Sequence, residues 1–224
     1  MAPARLSVVM PVLNEAACIE AALQALAAGG LQAVVADGGS TDATLALARA
    51  LGAQVVNAPR GRAQQMNAGA QQASGGLLLF LHADTRLPPD AGRLIVQALA
   101  SGSQVWGRFD VRIAGKPRML RLIAACMNLR SRWTGIATGD QAMFMTRAAF
   151  DAVGGFPDQP LMEDIEMSRR LRKLSRPACL RQQVVTSGRR WETRGVWRTV
   201  LLMWRLRLAY WRGAAPERLA ALYR

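Results

Sequence analysis

Residues Leu77–Arg86 read LLLFLHADTR, and this stretch decides how the rest of the chain is interpreted. A short apolar run between glycines and polar residues is typical of a central strand in a parallel sheet. The run ends at His82, the only histidine of the chain, and Asp84 follows two residues later. Polar groups at the carboxyl end of such a strand lie where open α/β sheets bind ligands. A carboxylate there suits a hard cation such as Mg²⁺ or Mn²⁺, with a simple turn at Asp84 as the structural alternative.

The composition is that of a folded domain. A chain of 224 residues is long enough for one substantial core, and a hydrophobic content of 51% excludes a disordered chain. Three cysteines without metal-type spacing indicate reduced thiols in a cytoplasmic protein, not a disulfide framework or a zinc site. The N-terminal apolar stretch is too short for a secretory signal, and no uncharged segment of 18 residues is apolar throughout, so we expect no membrane-spanning helix.

The charge is unevenly distributed along the chain. Residues 1–100 carry six Lys or Arg and six Asp or Glu, whereas residues 101–224 carry 23 and nine, which accounts for the whole net charge of +14. Almost all the cations are Arg, which forks two hydrogen bonds to a phosphate or a carboxylate. A basic nucleic-acid-binding protein is the competing class, but the first half has no basic stretch, so we expect no nucleic-acid partner.

The first half alternates predicted strands with predicted helices. We predict strands over 6–11, 32–36, 53–57 and 77–81, and helices over 15–28, 40–51 and 62–73. Gly29 and Gly30 end the first of these helices. Three successive βαβ units favour right-handed crossovers and a mostly parallel sheet flanked by helices.

Every loop at the carboxyl ends of these strands carries acidic, amide, Arg or Gly residues. Asp37, next to two glycines, is suited to accept hydrogen bonds from a nucleobase or from ribose hydroxyls. The same DGGST segment also fits a turn with a helix N-cap. Arg60 and Arg62, near a predicted helix N-terminus, are suited to a diphosphate.

Five segments in this order resemble the family-2 glycosyltransferases: SVVMPVLNE, VVADGGSTDAT, GRAQQMNAGA, LLFLHADT and MEDIEMSRRLRK. The resemblance covers about residues 5–190 and is greatest to a bacterial subfamily associated with radical-SAM and selenium-domain proteins, of the arsenosugar-biosynthesis type. It implies an α/β GT-A fold, which is Rossmann-like. The residue pattern beyond the resemblance predicts a C-terminal basic amphipathic helix after that fold. The resemblance also implies a nucleotide-sugar donor and Mn²⁺ or Mg²⁺ as cofactor.

The resemblance further implies roles for individual residues. It assigns the nucleobase to Asp37, and we expect Pro11, Asn14, Glu15, Arg62 and His82 to bind the nucleotide with it. His82 is not the usual residue at its position, and the alternative for it is a satisfied histidine at a strand end near the core. Asp84 corresponds to the metal-binding end of a motif that usually reads Asp-x-Asp, with His82 at its first position. Asp164 corresponds to the catalytic base, which takes the proton of the acceptor hydroxyl in an inverting transfer.

The same resemblance places Asp140, Gln141 and Glu163 against the donor sugar or the acceptor. A turn at Asp140–Gln141 is the alternative there. At Glu163–Asp164 the alternative is a helix N-terminus whose acids complement the dipole. We expect residues 1–190 to form the transferase domain, with a nucleotide-binding half over 1–100 and an acceptor half over 101–190. Residues 191–224 are then a helical appendage.

That appendage contains a predicted helix over 194–212 with two neighbouring stripes. One stripe is basic and the other is aromatic: Arg194, Arg198, Arg205 and Arg212, and Trp197, Trp204 and Trp211. Such a helix suits an anionic membrane surface, here the inner face of the plasma membrane. It equally suits packing on the catalytic domain or on the second subunit of a homo-oligomer.

The sequence leaves the acceptor open among arsenosugar, carotenoid-type and lipid molecules, because specificity depends on site details. Two other function classes stay open as well: a non-catalytic nucleotide-binding relative, and a basic protein that binds a membrane or nucleic-acid surface.

Overall fold

One eight-stranded sheet organises the chain in a computed structural model that describes residues 5–223. The strands are β1 (Leu6–Val12), β2 (Ala33–Asp37), β3 (Gln54–Asn57), β4 (Leu77–Phe80), β5 (Thr85–Arg86), β6 (Trp106–Ala114), β7 (Phe144–Thr146) and β8 (Ala178–Ser187). Their order across the sheet is β3-β2-β1-β4-β7-β6-β8-β5.

Helices cover both faces of this sheet and follow its last strand. They are α1 (Ala16–Ala28), α2 (Thr44–Ala50), α3 (Arg62–Gln72), α4 (Ala91–Leu99), α5 (Met119–Thr134), α6 (Arg147–Ala152), α7 (Glu163–Leu171), α8 (Arg189–Arg194), α9 (Val196–Trp211) and α10 (Pro216–Tyr223). A short 3₁₀ turn over Gly139–Gln141 precedes β7.

The predicted mostly parallel sheet is confirmed. Strands β1 to β4 pair in parallel, and β6 pairs in parallel with β8. Strand β7 runs against both of its neighbours, β4 and β6. A single reversed strand therefore joins the two parallel parts of the sheet.

Strand β1 shows why the parallel part reads as continuous apolar sequence. Val8 and Met10 pack in one core cluster with Ile19 of α1 and Ile95 of α4. Val9, which lies between them, packs in a second cluster with residues of α3 and α6 on the other face. Because both faces are buried, the strand is apolar except at Ser7, whose hydroxyl accepts a hydrogen bond from the backbone N–H of Gly75 at 3.0 Å.

The helix predicted over 40–51 begins later, at Thr44. The preceding residues make other hydrogen bonds: Ser40 Oγ accepts from the backbone N–H of Asn14 at 2.9 Å, and Asp42 Oδ1 accepts from the backbone N–H of Thr44 at 3.0 Å. Such local side-chain bonds compete with helical ones. They hold the loop after β2 against the loop after β1.

The prediction of one helix over 194–212 is wrong in its N-terminal part. Gly195, with a φ of +81°, separates α8 from α9, so Arg194 does not share a helix with the later arginines. Helix α9 packs on the domain through Leu206, in a cluster with Met162, Ile165 and Leu219. Within residues 5–223 no helix is both long and apolar enough to cross a membrane.

Gly107 provides a test of how closely β6, β7 and β8 pack. A Cβ atom on Gly107 would meet the backbone oxygen of Ala178 and would lie 2.5 Å from Cζ of Phe144. We expect Gly107→Ala to lower the free energy of unfolding by about 1–3 kcal/mol in urea denaturation, since overpacking a full core costs that much.

Gly29→Ala is the matched control, because the nearest atom to its added Cβ lies 3.4 Å away. Its expected effect is within about 0.5 kcal/mol. Equal losses in both variants would contradict the packing described for the centre of the sheet.

Candidate active site

A cavity of about 1470 Å³ opens at the carboxyl ends of β1 and β4 and continues between α5 and α9. Eight of the eleven predicted site residues line it: Pro11, Glu15, Arg62, His82, Asp84, Asp140, Glu163 and Asp164. Asn14, Asp37 and Gln141 are not among the lining residues. The structure thus brings residues from both halves of the chain to one cavity.

Two carboxylates, Glu15 and Asp84, meet at the end of the cavity nearest the parallel strands. Burial and the negative charge of Asp84 raise the pKa of Glu15, although Arg189, whose Nη2 lies 4.0 Å from Glu15 Oε2, opposes this. Mg²⁺ and its analogues are usually held by one or two carboxylates together with substrate phosphates. Within residues 5–223, no group of three or more His, Cys, Asp and Glu side chains is arranged to hold a metal ion.

Asp37 ends β2 and is almost fully buried. Its carboxylate accepts hydrogen bonds from the backbone N–H of Gly39 at 2.9 Å and of Ser40 at 3.0 Å, and from the Ser40 hydroxyl. Asp37 therefore fixes the turn of its own loop. An ionised carboxylate has about four acceptor positions, so these bonds do not by themselves prevent a contact with a nucleobase. That contact stays a prediction.

Gln65 of α3 is a positioning residue that sequence reasoning did not single out. Its buried Nε2 donates to the carbonyl oxygens of Val12 at 2.6 Å and of Ala36 at 2.9 Å. It therefore ties together the ends of β1 and β2. The polar sequence does not distinguish Gln65 from its neighbour Gln64, since only the packing of α3 on the sheet buries one of them.

The acidic pair on the acceptor half starts α7. Asp164 Oδ2 accepts from the backbone N–H of Gly139 at 3.0 Å, and its Oδ1 accepts from that of Ile165 at 2.8 Å. Burial raises the pKa of Asp164, and these hydrogen bonds oppose the shift. The carboxylate is held in one orientation with its basicity increased.

Glu163 lies beside it and is buried. Burial and the charge of Asp164 raise the pKa of Glu163 to about 7, while Arg62 opposes the shift. Arg62 Nη1 lies 3.9 Å from Glu163 Oε1, and the Arg62 side chain is half exposed. The first residue of α3 is thus linked electrostatically to the first residue of α7.

His82 connects the loop after β4 to the 3₁₀ turn. Its Nδ1 lies 3.5 Å from Asp140 Oδ1. A Cβ on Gly139 would lie 2.7 Å from His82 Cε1, so the imidazole packs directly on this glycine. The nucleotide-side loop and the acceptor-side loop therefore touch at His82.

Backbone strain is concentrated in the loops around the cavity. Among residues 5–223, the non-glycine residues with positive φ are Asn14 (56°), Ala142 (48°) and Met162 (67°). Each of them adjoins a segment that supplies lining residues. Such conformations persist where the surrounding structure imposes them, and they are frequent at functional sites.

The acceptor half also contains an arginine that motif analysis did not single out. Arg130 of α5 lines the cavity, and its buried Nε and Nη2 have no hydrogen-bond partner. Burial lowers its pKa, and the charge of Asp164 opposes this. The sequence offers one indication: Arg130 lies in a stretch, over 112–132, in which every charged residue is basic.

Gln141 has an internal role in the same region. Its buried Nε2 donates to Asn128 Oδ1 at 3.3 Å and to Ser131 Oγ at 3.1 Å, and its Oε1 accepts from the backbone N–H of Thr138 at 3.2 Å. These bonds hold the 3₁₀ turn against α5.

The raised pKa of Glu163 predicts a specific pH dependence of stability. A carboxyl group whose pKa is higher in the folded state loses stabilisation as the pH rises from its unfolded value, about 4.3, to about 7. We expect the stability of the wild type to fall relative to Glu163→Gln between pH 5 and pH 8, by on the order of 3 kcal/mol at most. Urea denaturation across this range measures the difference.

Glu166→Gln, on the same helix, is the control, because Glu166 forms pairs with Arg169 and Arg170 near the surface. Wild type and Glu163→Gln curves that run parallel over the whole range would contradict the assignment.

Curated relatives cover part of the chain. A glycosyltransferase of PGL/p-HBAD biosynthesis from Mycobacterium bovis is 38% identical over 97 residues, which are 39% of this chain and 38% of the relative. An uncharacterized glycosyltransferase of Mycobacterium bovis is 38% identical over 108 residues, 47% of this chain and 48% of the relative. The match thus spans less than half the length of these relatives.

Solved structures share the fold at low sequence identity. A mannosyltransferase from Pyrobaculum calidifontis, in complex with GDP-Man and Mn²⁺, aligns with a TM-score of 0.66 at 21% identity, over 98% of this chain and 69% of its own. TarS 1–349 of S. aureus, in complex with UDP-GlcNAc, aligns with a TM-score of 0.65 at 18% identity, over 82% and 58%. The common architecture is GT-A-like.

The family itself is shown by the sequence. Residues 7–156 match the family model for Glycosyl transferase family 2, which is more than half of the chain. The region includes the loops that carry Glu15, Asp84 and Asp140, whereas α7 lies beyond it. This chain belongs to glycosyl transferase family 2.

Proposed function

We propose that this protein transfers a glycosyl group from a nucleotide-sugar to an acceptor hydroxyl, with inversion and with a divalent metal ion. The observation that carries the proposal is that Asp84, which follows β4, and Asp164, in α7, line the same cavity. Asp84 is suited to bind the metal ion of the donor diphosphate. Asp164 is suited to accept the proton of the acceptor hydroxyl.

On the donor side, the loops after the parallel strands hold the nucleotide. Asp37 is the candidate for the base, with Pro11 and Asn14 in the neighbouring loop and His82 at the end of β4. Arg62 combines its positive charge with the N-terminus of α3, where backbone N–H groups and the helix dipole favour a phosphate. Solved structures with the same fold contain GDP-Man or UDP-GlcNAc, which supports this class of donor.

Asp84 is the candidate ligand for Mn²⁺ or Mg²⁺, together with oxygens of the donor. When bound, the ion stabilises the charge that develops on the departing diphosphate. The pKa of the neighbouring Glu15 carboxylate is raised by burial and by the charge of Asp84, so positive charge is favourable here.

On the acceptor side, Asp164 is the general base. The acceptor oxygen attacks the anomeric carbon and the bond from that carbon to the diphosphate breaks, so that the electron pair leaves with the diphosphate. Asp164 accepts the hydroxyl proton in the same step. The backbone bonds from Gly139 and Ile165 orient its carboxylate, and burial makes it a stronger base than an exposed aspartate.

The remaining parts of the proposal concern organisation. The transferase domain extends to about residue 190 and the helical appendage follows. Strand β8 ends at Ser187 and α8 begins at Arg189, so this boundary lies within α8. The subfamily associated with arsenosugar biosynthesis, and a cytoplasmic location, rest on the sequence motifs alone.

A second candidate role, at the membrane surface, rests on one feature of α9. Trp197, Trp204 and Trp211 are exposed, and each is followed by an exposed arginine. Interfacial tryptophan next to arginine is typical of helices that lie on anionic bilayers. We therefore keep peripheral association with an anionic membrane as part of the proposal.

Thermal unfolding with nucleotides tests the donor site. UDP, GDP, TDP and CDP are each added with and without Mn²⁺, and we expect one of them to stabilise the protein in a metal-dependent way. A ligand at about 100 times its Kd adds about 2.7 kcal/mol. Asp84→Asn should lose the Mn²⁺-dependent part of this shift, and Asp90→Asn, at an exposed position, should keep it. A shift that is unchanged in Asp84→Asn would exclude the proposed metal ligand.

Asp164→Asn separates catalysis from donor binding. We expect it to keep the nucleotide shift and to lower transfer by about 10²–10⁴-fold, which is the usual contribution of a positioned acid or base. The assay follows diphosphate release from the nucleotide-sugar that the thermal panel selects. Asp151→Asn, at an exposed position of α6, is the control. Full activity in Asp164→Asn would assign the base elsewhere.

A further inference from the structure

We propose that the acceptor is an amphiphile whose hydrocarbon chain lies in the groove between α5 and α9, with its hydroxyl-bearing head at Asp164. This rests on the proposed glycosyl transfer and names the class of its acceptor. The groove is defined here as the part of the large cavity lined by Leu122, Met127, Trp197, Leu201, Trp204 and Leu208.

The first observation is the size and continuity of the cavity. Its volume of about 1470 Å³ exceeds the roughly 300–1,000 Å³ that is usual for a small-molecule site. Glu15 and Asp84 lie in its strand-side part, and Trp211 lines it at the last residue of α9. A nucleotide-sugar at the strand ends therefore leaves a long extension that is continuous with the catalytic carboxylates. Its lining is mostly apolar, with Arg205 and Arg207 as charged members.

The second observation is that apolar side chains of the groove are uncovered. Leu122 of α5 is 58% exposed, and Leu201 and Trp204 of α9 are 60% and 72% exposed. Within residues 5–223, six of the eleven exposed large hydrophobic residues line this cavity: Leu122, Trp197, Leu201, Trp204, Leu208 and Trp211. Concentration of exposed apolar surface in one place marks a binding surface.

Folding does not account for this second apolar face of α9. The helix is already attached to the domain through Leu206, which is 1% exposed, and through the neighbouring Leu202 and Met203. The uncovered residues recur at spacings of four and three from Trp197 to Trp211, which places them on one stripe. Since that stripe faces the cavity, its occupant lies next to the active site.

The third observation concerns polar groups. It indicates which part of the cavity holds the polar end of the occupant. Arg130 has two buried N–H groups without a partner, on Nε and Nη2, and its guanidinium interacts electrostatically with Asp164. Buried donors need acceptors. An oxygen-rich head at Asp164 supplies them, whereas a purely apolar occupant does not. Arg130 at one end and Leu201 and Leu208 further along together match a molecule with one polar and one hydrocarbon end.

The experiment uses n-alkyl β-D-glucopyranosides from hexyl to decyl, each below its critical micelle concentration. Binding to the full chain is followed by its intrinsic tryptophan fluorescence, since Trp197 and Trp204 line the groove. We expect the affinity to increase about fourfold for each added methylene, the factor that corresponds to burial of one CH₂ group.

Variants locate the two ends. Leu122→Glu and Leu201→Glu should abolish the chain-length dependence, whereas Leu51→Glu and Leu174→Glu, exposed leucines that do not line the cavity, should retain it. Arg130→Gln should weaken binding of every chain length by about tenfold, as expected for a lost charged hydrogen bond, and leave the dependence on length intact.

The nucleotide shift is measured on the same variants and keeps the two proposals apart. If the affinity does not depend on chain length in a protein that still shows the nucleotide shift, the amphiphile proposal is overturned. The proposal of glycosyl transfer then still stands. Absence of any nucleotide shift overturns the transferase instead. Two further outcomes also overturn the proposal, each in the absence of binding to dispersed glucosides. Binding only to phosphatidylglycerol vesicles assigns the groove to a membrane. A dimer that Leu201→Glu dissociates assigns it to a second copy of the chain.

Discussion

The reversed strand β7 is the constraint on which the site depends. It pairs antiparallel with β4, so that Leu79 lies opposite Phe144 and Leu77 opposite Thr146. The carboxyl end of β4 and the start of β7 therefore lie at the same edge of the sheet. This brings the loop of His82 and Asp84 against the 3₁₀ turn at Gly139, which in turn binds the carboxylate of Asp164. A parallel strand in this place would put the two loops at opposite edges.

The contact between these two loops determines the electrostatics of the site. Glu15 and Asp84 share one end of the cavity, and Glu163 and Asp164 share the neighbouring wall. Burial, together with the negative charge of nearby carboxylates, raises the pKa values of Glu15, Glu163 and Asp164. Arg62 opposes the shift of each of these three groups. A site built in this way favours an incoming cation, and it keeps one carboxylate ready to accept a proton, as glycosyl transfer requires.

Much of the fold could be predicted from the sequence, because the periodicity of apolar residues indicates which of them are buried. The four parallel strands belong to that part. The pairing of Asp84 with Asp164 was expected from the resemblance to family-2 glycosyltransferases and not from periodicity. The late start of α2 and the break at Gly195 were missed, because they depend on particular hydrogen bonds and on one backbone angle. Gln65 and Arg130 were not recognised as site residues, because their positions depend on the packing of α3 and α5 against distant segments.

The most direct test of the central claim is anomalous diffraction from crystals soaked with Mn²⁺ and the nucleoside diphosphate selected by thermal unfolding. We expect one manganese peak within coordination distance of the Asp84 carboxylate, in the cavity that Asp164 also lines. A nucleotide bound away from the carboxyl ends of β1 and β4, or manganese held without Asp84, would contradict the account.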